Sequence, residues 1–88
     1  MVWKIEFDHN AAHEFKKLDK NSQSLISSYL KNKILKSAHP KDLGKPLRHD
    51  HSGLWRYRVE KFRIICSIEE RNFVVLILRV GQRDHVYD

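Results

Sequence analysis

The feature that most constrains the fold is the second half of the chain, where three strand-like segments follow one another with almost nothing between them. Residues 54–59, 62–69 and 73–80 carry the β-branched and aromatic residues that suit a pleated surface, and only 60–61 and 70–72 separate them. Connections that short cannot cross over a sheet, so the segments must form two consecutive antiparallel hairpins. A two-residue turn at Glu60 and Lys61 sets Val59 opposite Phe62, Arg58 opposite Arg63, Tyr57 opposite Ile64 and Arg56 opposite Ile65. A tight turn at Glu70 and Arg71 sets Ile68 opposite Phe73 and Ile64 opposite Ile77. One face then collects Trp55, Tyr57, Val59, Phe62, Ile64, Cys66, Ile68, Phe73, Val75 and Ile77. The other receives Arg56, Arg58 and Arg63 on a partly apolar floor of Ile65, Leu76 and Leu78.

The first half supplies a cover for the apolar face. Trp3, Ile5 and Phe7 alternate with Lys4 and Glu6, the period of a half-buried strand. Asp8 or Asn10 can cap a helix that places Ala11, Ala12, Phe15 and Leu18 on one side. Asn21 or Ser22 opens a second helix with a stripe of Leu25, Ile26, Tyr29, Leu30, Ile34 and Leu35, which Pro40 and its restricted neighbour His39 end. Residues 39–53 hold both prolines and two of the three glycines and read as a loop. A chain of 88 residues closes one core, so 1–88 is a single domain. The expected class is α+β: a small, mostly antiparallel sheet of about four strands, in the order β-α-α-β-β-β, with two N-terminal helices on one face.

Seventeen Lys and Arg against eleven Asp and Glu give a net charge of +6, which favours a polyanionic partner. The excess is concentrated: residues 41–63 carry seven basic and three acidic side chains, whereas 64–88 are slightly acidic. The lone Cys66 cannot form an internal disulfide, and the N-terminus lacks the apolar run of a signal peptide. The longest apolar run, 73–78, is far too short to cross a membrane. These features point to a cytoplasmic protein with no membrane partner.

Like charges directly opposed across a strand pair destabilise by a few tenths to about 1 kcal/mol, so Arg58 facing Arg63 needs a counterpart. A bound phosphate supplies one, because guanidinium groups grip phosphate oxygens bidentately and stay charged at any physiological pH. RNA also brings its own nucleophile, the 2′-OH. A ribonuclease built here needs no metal, no small-molecule cofactor and no covalent residue, only cations around the phosphate and groups to move protons. Beyond Gly81 the tail offers Arg83 as a cation, His85 as an imidazole able to work near neutral pH, and Tyr87 as a phenol able to stack on a base.

The stretch Gly53-Leu54-Trp55-Arg56-Tyr57-Arg58-Val59, then Phe62-Arg63-Ile64-Ile65, then Val80-Gly81-Gln82-Arg83 and Val86-Tyr87 resembles the RelE toxins of the RelE/ParE toxin-antitoxin superfamily. The opening strand and two helices match that family in order and length. The resemblance implies a ribosome-dependent mRNA endonuclease, an mRNA interferase, that enters the decoding site, cuts by 2′-OH attack, and is held inactive by a small acidic antitoxin. It places Arg56 and Arg58 at two basic strand positions that are often lysines, Arg63 at the phosphate-binding arginine, Arg83 at a second arginine and Tyr87 at the C-terminal aromatic. Catalysis then falls to Arg58, Arg63, Arg83, His85 and Tyr87, and RNA binding to Lys45, Arg48, Arg56 and Lys61. One departure matters: where a lysine would take the proton, Arg58, an arginine charged at any physiological pH, cannot readily do so. The base is left among His85, Tyr87, His49 and His51.

Plainer roles account for the remaining candidates. His49-Asp50-His51 has metal-ligand spacing but no second ligand cluster in the sequence. His9, His13 and His39 read as surface residues, Cys66 as a small buried hydrophobe, Trp3 and Trp55 as core anchors, and Lys16, Lys17 and Lys20 as a solvated helix face. Two further functional classes fit the same fold: a ParE-like toxin that inhibits DNA gyrase by binding it, and a non-catalytic RNA-binding module. The first expects the RNase residues to be lost. The second explains the charge without explaining its clustering on one hairpin.

Overall fold

The structure, a computed structural model, describes residues 3–47 and 53–82. It is α+β, with strand β1 (Lys4–Phe7), helices α1 (His9–Lys16) and α2 (Lys20–Tyr29), then β2 (Lys45–Pro46), β3 (Trp55–Val59), β4 (Phe62–Glu69) and β5 (Val74–Gln82). The five strands lie in the order β1-β5-β4-β3-β2, with β1 parallel to β5 and the other pairs antiparallel. The sheet therefore has one strand more than the sequence suggested, because Lys45–Pro46 pairs with Arg56 and Trp55 inside the segment read as a loop.

The β3–β4 hairpin has the register its two-residue turn dictates: Val59 faces Phe62, Arg58 faces Arg63, Tyr57 faces Ile64 and Arg56 faces Ile65. Glu60 supplies the left-handed conformation, at φ 55°, that lets so short a connection close.

The β4–β5 hairpin departs from expectation. Its connection spans residues 70–73, so Glu69 faces Val74 and Ile68 faces Val75 rather than Phe73. Phe73 sits in the turn at φ 56° and is 41% exposed, off the core face. What holds this uncommon backbone on a bulky residue is β1: Lys4 N–H donates to the Phe73 carbonyl at 2.8 Å, and the Phe73 ring stands edge-on to Trp3, centroids 5.4 Å apart. Further along, the register slips between Ile65 and Cys66: Cys66 faces Ile77, Ile65 faces Arg79 and Ile64 faces Val80, not Ile77. Leu78 is the extra residue of a bulge. Strict alternation would have turned Arg79 inward; the bulge buries Val80 instead.

Asp8 caps α1, accepting from Ala11 N–H at 2.8 Å, while its own N–H donates to Ile77 O at 2.9 Å and carries the chain from β1 into the helix. The second helix starts at Lys20 after an extended Asp19, earlier than an Asn21 or Ser22 cap would allow. Gln23 Nε2 reaches back to the carbonyls of Phe15 and Leu18, each at 3.1 Å, and fixes the α1–α2 corner there. Beyond Tyr29 the helix widens into a π turn over Leu30–Ile34, with Leu35 N–H donating to Leu30 O. Ile26, Leu30 and Ile34 of the apolar stripe are buried, but Leu25 is 38% exposed at its margin.

These elements enclose one main core of Trp3, Ala11, Ile26, Leu30, Ile34, Tyr57, Val59, Phe62, Ile64, Cys66, Val75, Ile77 and Val80. Burial raises the Tyr57 phenol far above its ordinary range and pushes the Cys66 thiol up to about 12. Tyr57 is also tied to the β2 region, because its hydroxyl donates to Pro40 O at 2.7 Å at the start of a 3-10 turn over Pro40–Leu43. A second, smaller cluster of Leu47, Ile65 and Leu54 lies on the opposite side of the sheet.

Candidate functional site

Residues directly opposed in an antiparallel ladder point to the same face, so the registers lay out the uncovered side of the sheet in two rows. One row runs Lys45, Arg56, Ile65, Arg79 across β2 to β5; the next runs Arg58, Arg63, Gly81 across β3 to β5. Ile65 is buried under Leu47, with Leu54 against it, and forms an apolar floor beside the cations. Leu76 and Leu78, expected on that floor, are half-buried and take no part in the cluster.

The arginines are held to different depths. Arg58 is exposed, Arg56 half-buried, and Arg63 only 8% exposed. Arg56, Arg58 and Arg63 each engage an interaction partner, as a charged group this close to like charges must. A neighbouring glycine distinguishes Arg63 further: on β5 its partner is Gly81, which contributes no side chain. Fixed guanidiniums above an apolar floor suit the binding of a phosphate and the stabilisation of charge that builds on it, since a partly desolvated cation acts more strongly than one in water.

Not every basic residue near this face joins it. The Arg79 Nε donates to Glu14 Oε2 of α1 at 3.0 Å, and the other oxygen of the same carboxylate accepts from Val80 N–H at 2.8 Å. The Lys41 Nζ lies 3.4 Å from Glu70 Oε1 and 5.4 Å from the centroid of the Trp55 ring, at the fringe of β3. Lys61, expected to bind RNA, sits in the β3–β4 turn with Nζ 5.5 Å from the Phe62 ring centroid, lining a groove with Asn21, Ser22 and Leu25 of α2. It faces the helical layer. That groove continues past Tyr29 and Lys33 along the edge of β3 at Arg58 and Val59.

Of the sequence-derived site, the fold brings together Lys45, Arg56, Arg58 and Arg63 and sets Lys61 apart. Arg48, His49, His51, Arg83, His85 and Tyr87 lie outside the described residues. Sequence reasoning overlooked Glu14. Its signal was its isolation, as the one acidic residue between Asp8 and Asp19 on a helix otherwise carrying Lys and His.

A family model described as the ParE toxin of type II toxin-antitoxin system, parDE, matches residues 5–87. The chain is 26% identical to Toxin RelG of Mycobacterium tuberculosis over 87 residues, 99% of this chain and 98% of that protein. A chain of the crystal structure of the toxin-antitoxin complex RelBE2 from Mycobacterium tuberculosis superimposes with a TM-score of 0.85 at 24% identity, covering 94% of this chain and 93% of that one. The isolated E. coli RelE toxin gives 0.73 at 17% identity, covering 98% and 88%. Among the described residues, no helix is long and apolar enough to cross a membrane.

Proposed function

Because the chain belongs to the ParE toxin family of type II toxin-antitoxin systems and is a RelE-like toxin of the RelE/ParE superfamily, we propose that it is an endoribonuclease that cuts mRNA on the ribosome. The observation that carries this reading is the Arg58–Arg63 cross-strand pair, flanked by Gly81 and Arg56 and backed by the apolar floor of Leu47 and Ile65. A backbone phosphate placed between these opposed cations would be gripped from both strands by charge-assisted guanidinium hydrogen bonds.

In the proposed reaction the substrate's 2′-OH attacks the adjacent phosphorus and the 5′-oxygen leaves, giving a 2′,3′-cyclic phosphate and a free 5′-hydroxyl. Arg58 and Arg63 hold the non-bridging oxygens and stabilise the extra charge of the five-coordinate transition state. Lys45 and Arg56, one row over, hold a neighbouring phosphate, with Arg48 adding to that contact. Arg83 is a further cation, and His85 or Tyr87 moves the protons that a permanently charged arginine cannot. The decoding site would supply an mRNA strand already single and extended.

The test is single-turnover cleavage of a programmed ribosome, with products mapped by primer extension and their 3′ ends analysed. The reading expects cuts within translated codons and cyclic phosphate ends, with loss of cleavage in Arg63→Gln and Arg58→Gln. Cleavage of naked RNA at equal rate, or none in either setting, refutes it. The family model's ParE name favours a second reading, binding and inhibition of DNA gyrase. A supercoiling assay decides for it if the protein blocks gyrase and leaves mRNA intact.

The partner that fits this reading is an antitoxin protein, the matched RelBE2 structure being a toxin-antitoxin complex, and the basic charge of this chain calls for an acidic one. Complementary charge would speed its association with so basic a protein. The cytoplasm, where mRNA is translated, is the corresponding location.

A further inference from the structure

The Glu14 carboxylate makes two bonds at one place in the sheet. Along the outer side of β5 the pairing with β1 ends where Asp8 N–H donates to Ile77 O. Immediately beyond comes the bulge at Leu78, and the next amides on that side have no strand to meet. Glu14, one turn and a half into the helix that β1 leads to, takes over: Oε1 accepts from Val80 N–H at 2.8 Å and Oε2 from Arg79 Nε at 3.0 Å. Both residues just past the bulge are thus held by one side chain.

The bulge decides what stands beside Arg63. Continued without the extra residue, the register that pairs Cys66 with Ile77 would set Arg79 opposite Ile64, in the core, and Val80 opposite Arg63. With the bulge, Val80 enters the core and Gly81 faces Arg63. The Arg79 charge keeps the continuous register unfavourable, and Glu14 keeps the bulged one from fraying.

We propose that Glu14 is a positioning residue for the arginine site, holding the bulged end of β5 so that Gly81 stays paired beside Arg63. The proposal rests on the reading that Arg58 and Arg63 bind the phosphate that is cut. Glu14 touches no substrate; it acts through the strand. Small displacements of a group aimed at a transition state carry large rate effects, about 100-fold for 1 Å.

The experiment compares the full chain with Glu14→Ala, Glu14→Gln and Arg79→Gln by two independent readouts. Amide exchange at Val80 and the cross-strand contact between Arg63 and Gly81, followed by NMR, report the register without RNA. Single-turnover cleavage at saturating programmed ribosome, with ribosome affinity measured separately, reports the site. Glu14→Ala is expected to speed Val80 exchange at least about tenfold, weaken the Arg63–Gly81 contact, and lower the saturated rate by about 100-fold with ribosome affinity unchanged. Glu14→Gln keeps an oxygen for Val80 N–H and should retain most of the rate; Arg79→Gln leaves the Val80 bond to Glu14 in place and puts a side chain still too polar for the core at 79, so it should retain most of the rate as well. A Glu14→Ala protein that keeps the contact, or that loses it and still cuts at the parental rate, overturns the proposal. If Glu14→Ala does not fold, Glu14→Gln decides: faster Val80 exchange with a parental rate overturns it, and a rate that falls with the contact supports it. A parental chain that cuts nothing overturns the functional reading and the positioning role with it, whatever the NMR shows of the register.

Discussion

Replacing Gly44 by alanine tests how β2 is kept against β3. Gly44 has an extended backbone, φ −123° and ψ −171°, that any residue could adopt, so the glycine is required by space and not by conformation. A Cβ there would stand 2.7 Å from Arg56 O and 2.9 Å from Tyr57 Cε1. Neither neighbour can yield easily. The Tyr57 ring is fully buried with its hydroxyl fixed on Pro40 O at 2.7 Å, and Arg56 is paired to both Lys45 and Ile65. Relief needs a shift of several tenths of an ångström between the strands, and overpacking of this kind costs about 1–3 kcal/mol. For a domain this size, about 2 kcal/mol corresponds to roughly 8–16 °C in Tm. Gly53→Ala is the contrasting control: its Cβ meets nothing within 4 Å, but φ +91° is strained for alanine. It should lose about 1–2 kcal/mol without disturbing β2. Thermal melts with amide exchange at Lys45 and Arg56 distinguish the two. A Gly44→Ala protein that melts with the parent and keeps Lys45 and Arg56 protected would refute the argument from close packing.

Two further outcomes follow from burial. The Cys66 thiol is pushed up to about 12 by burial, above the ~8.5 of an unfolded thiol, so its protonated form favours the folded state. That contribution is complete below ~pH 8.5 and declines as pH rises toward about 12, by up to ~1.4 kcal/mol per pH unit; denaturant melts at pH 8, 9 and 10 should show the decline, and Cys66→Ala should flatten it. Arg58→Gln, at an exposed position, should change stability by no more than about 0.5 kcal/mol, whereas Arg63→Gln, at 8% exposure, should cost about 1–3 kcal/mol. Equal melts for the two variants would show that the depth of Arg63 carries no energetic weight.

Sequence patterning conveyed one hairpin and not the other, for physical reasons that differ. The Glu60–Lys61 turn leaves the chain a single way to close, so the opposition of Arg58 to Arg63 could be read directly. Between Glu69 and Val74 the chain has room to choose, and the choice is made by Trp3 and Lys4, far away in sequence, which engage the ring and carbonyl of Phe73. The bulge was hinted at by Arg79, whose charge strict alternation would have buried, but placing it required knowing that Glu14 waits on the adjacent helix. Leu25 belonged to the apolar stripe by spacing, yet Ile26, Leu30 and Ile34 fill the interface and leave it at the groove. The basic face was legible in outline because alternation sets it. Lys61 was not, because a turn residue follows no alternation.

The parallel pairing of β1 with β5 joins the first strand to the last: Lys4 has no ladder partner until Val74 has been made. A polypeptide made N-terminus first therefore holds Trp3, Ile5 and Phe7 without their sheet neighbour until residues 74–77 have followed. Contacts this distant in sequence make for slow, late closure. Gly81 arrives at Arg63 only once β5 has been made, so the neighbour that β5 gives Arg63 comes after β1 to β4. The sheet cannot take its shape until β5 exists to lie between β1 and β4.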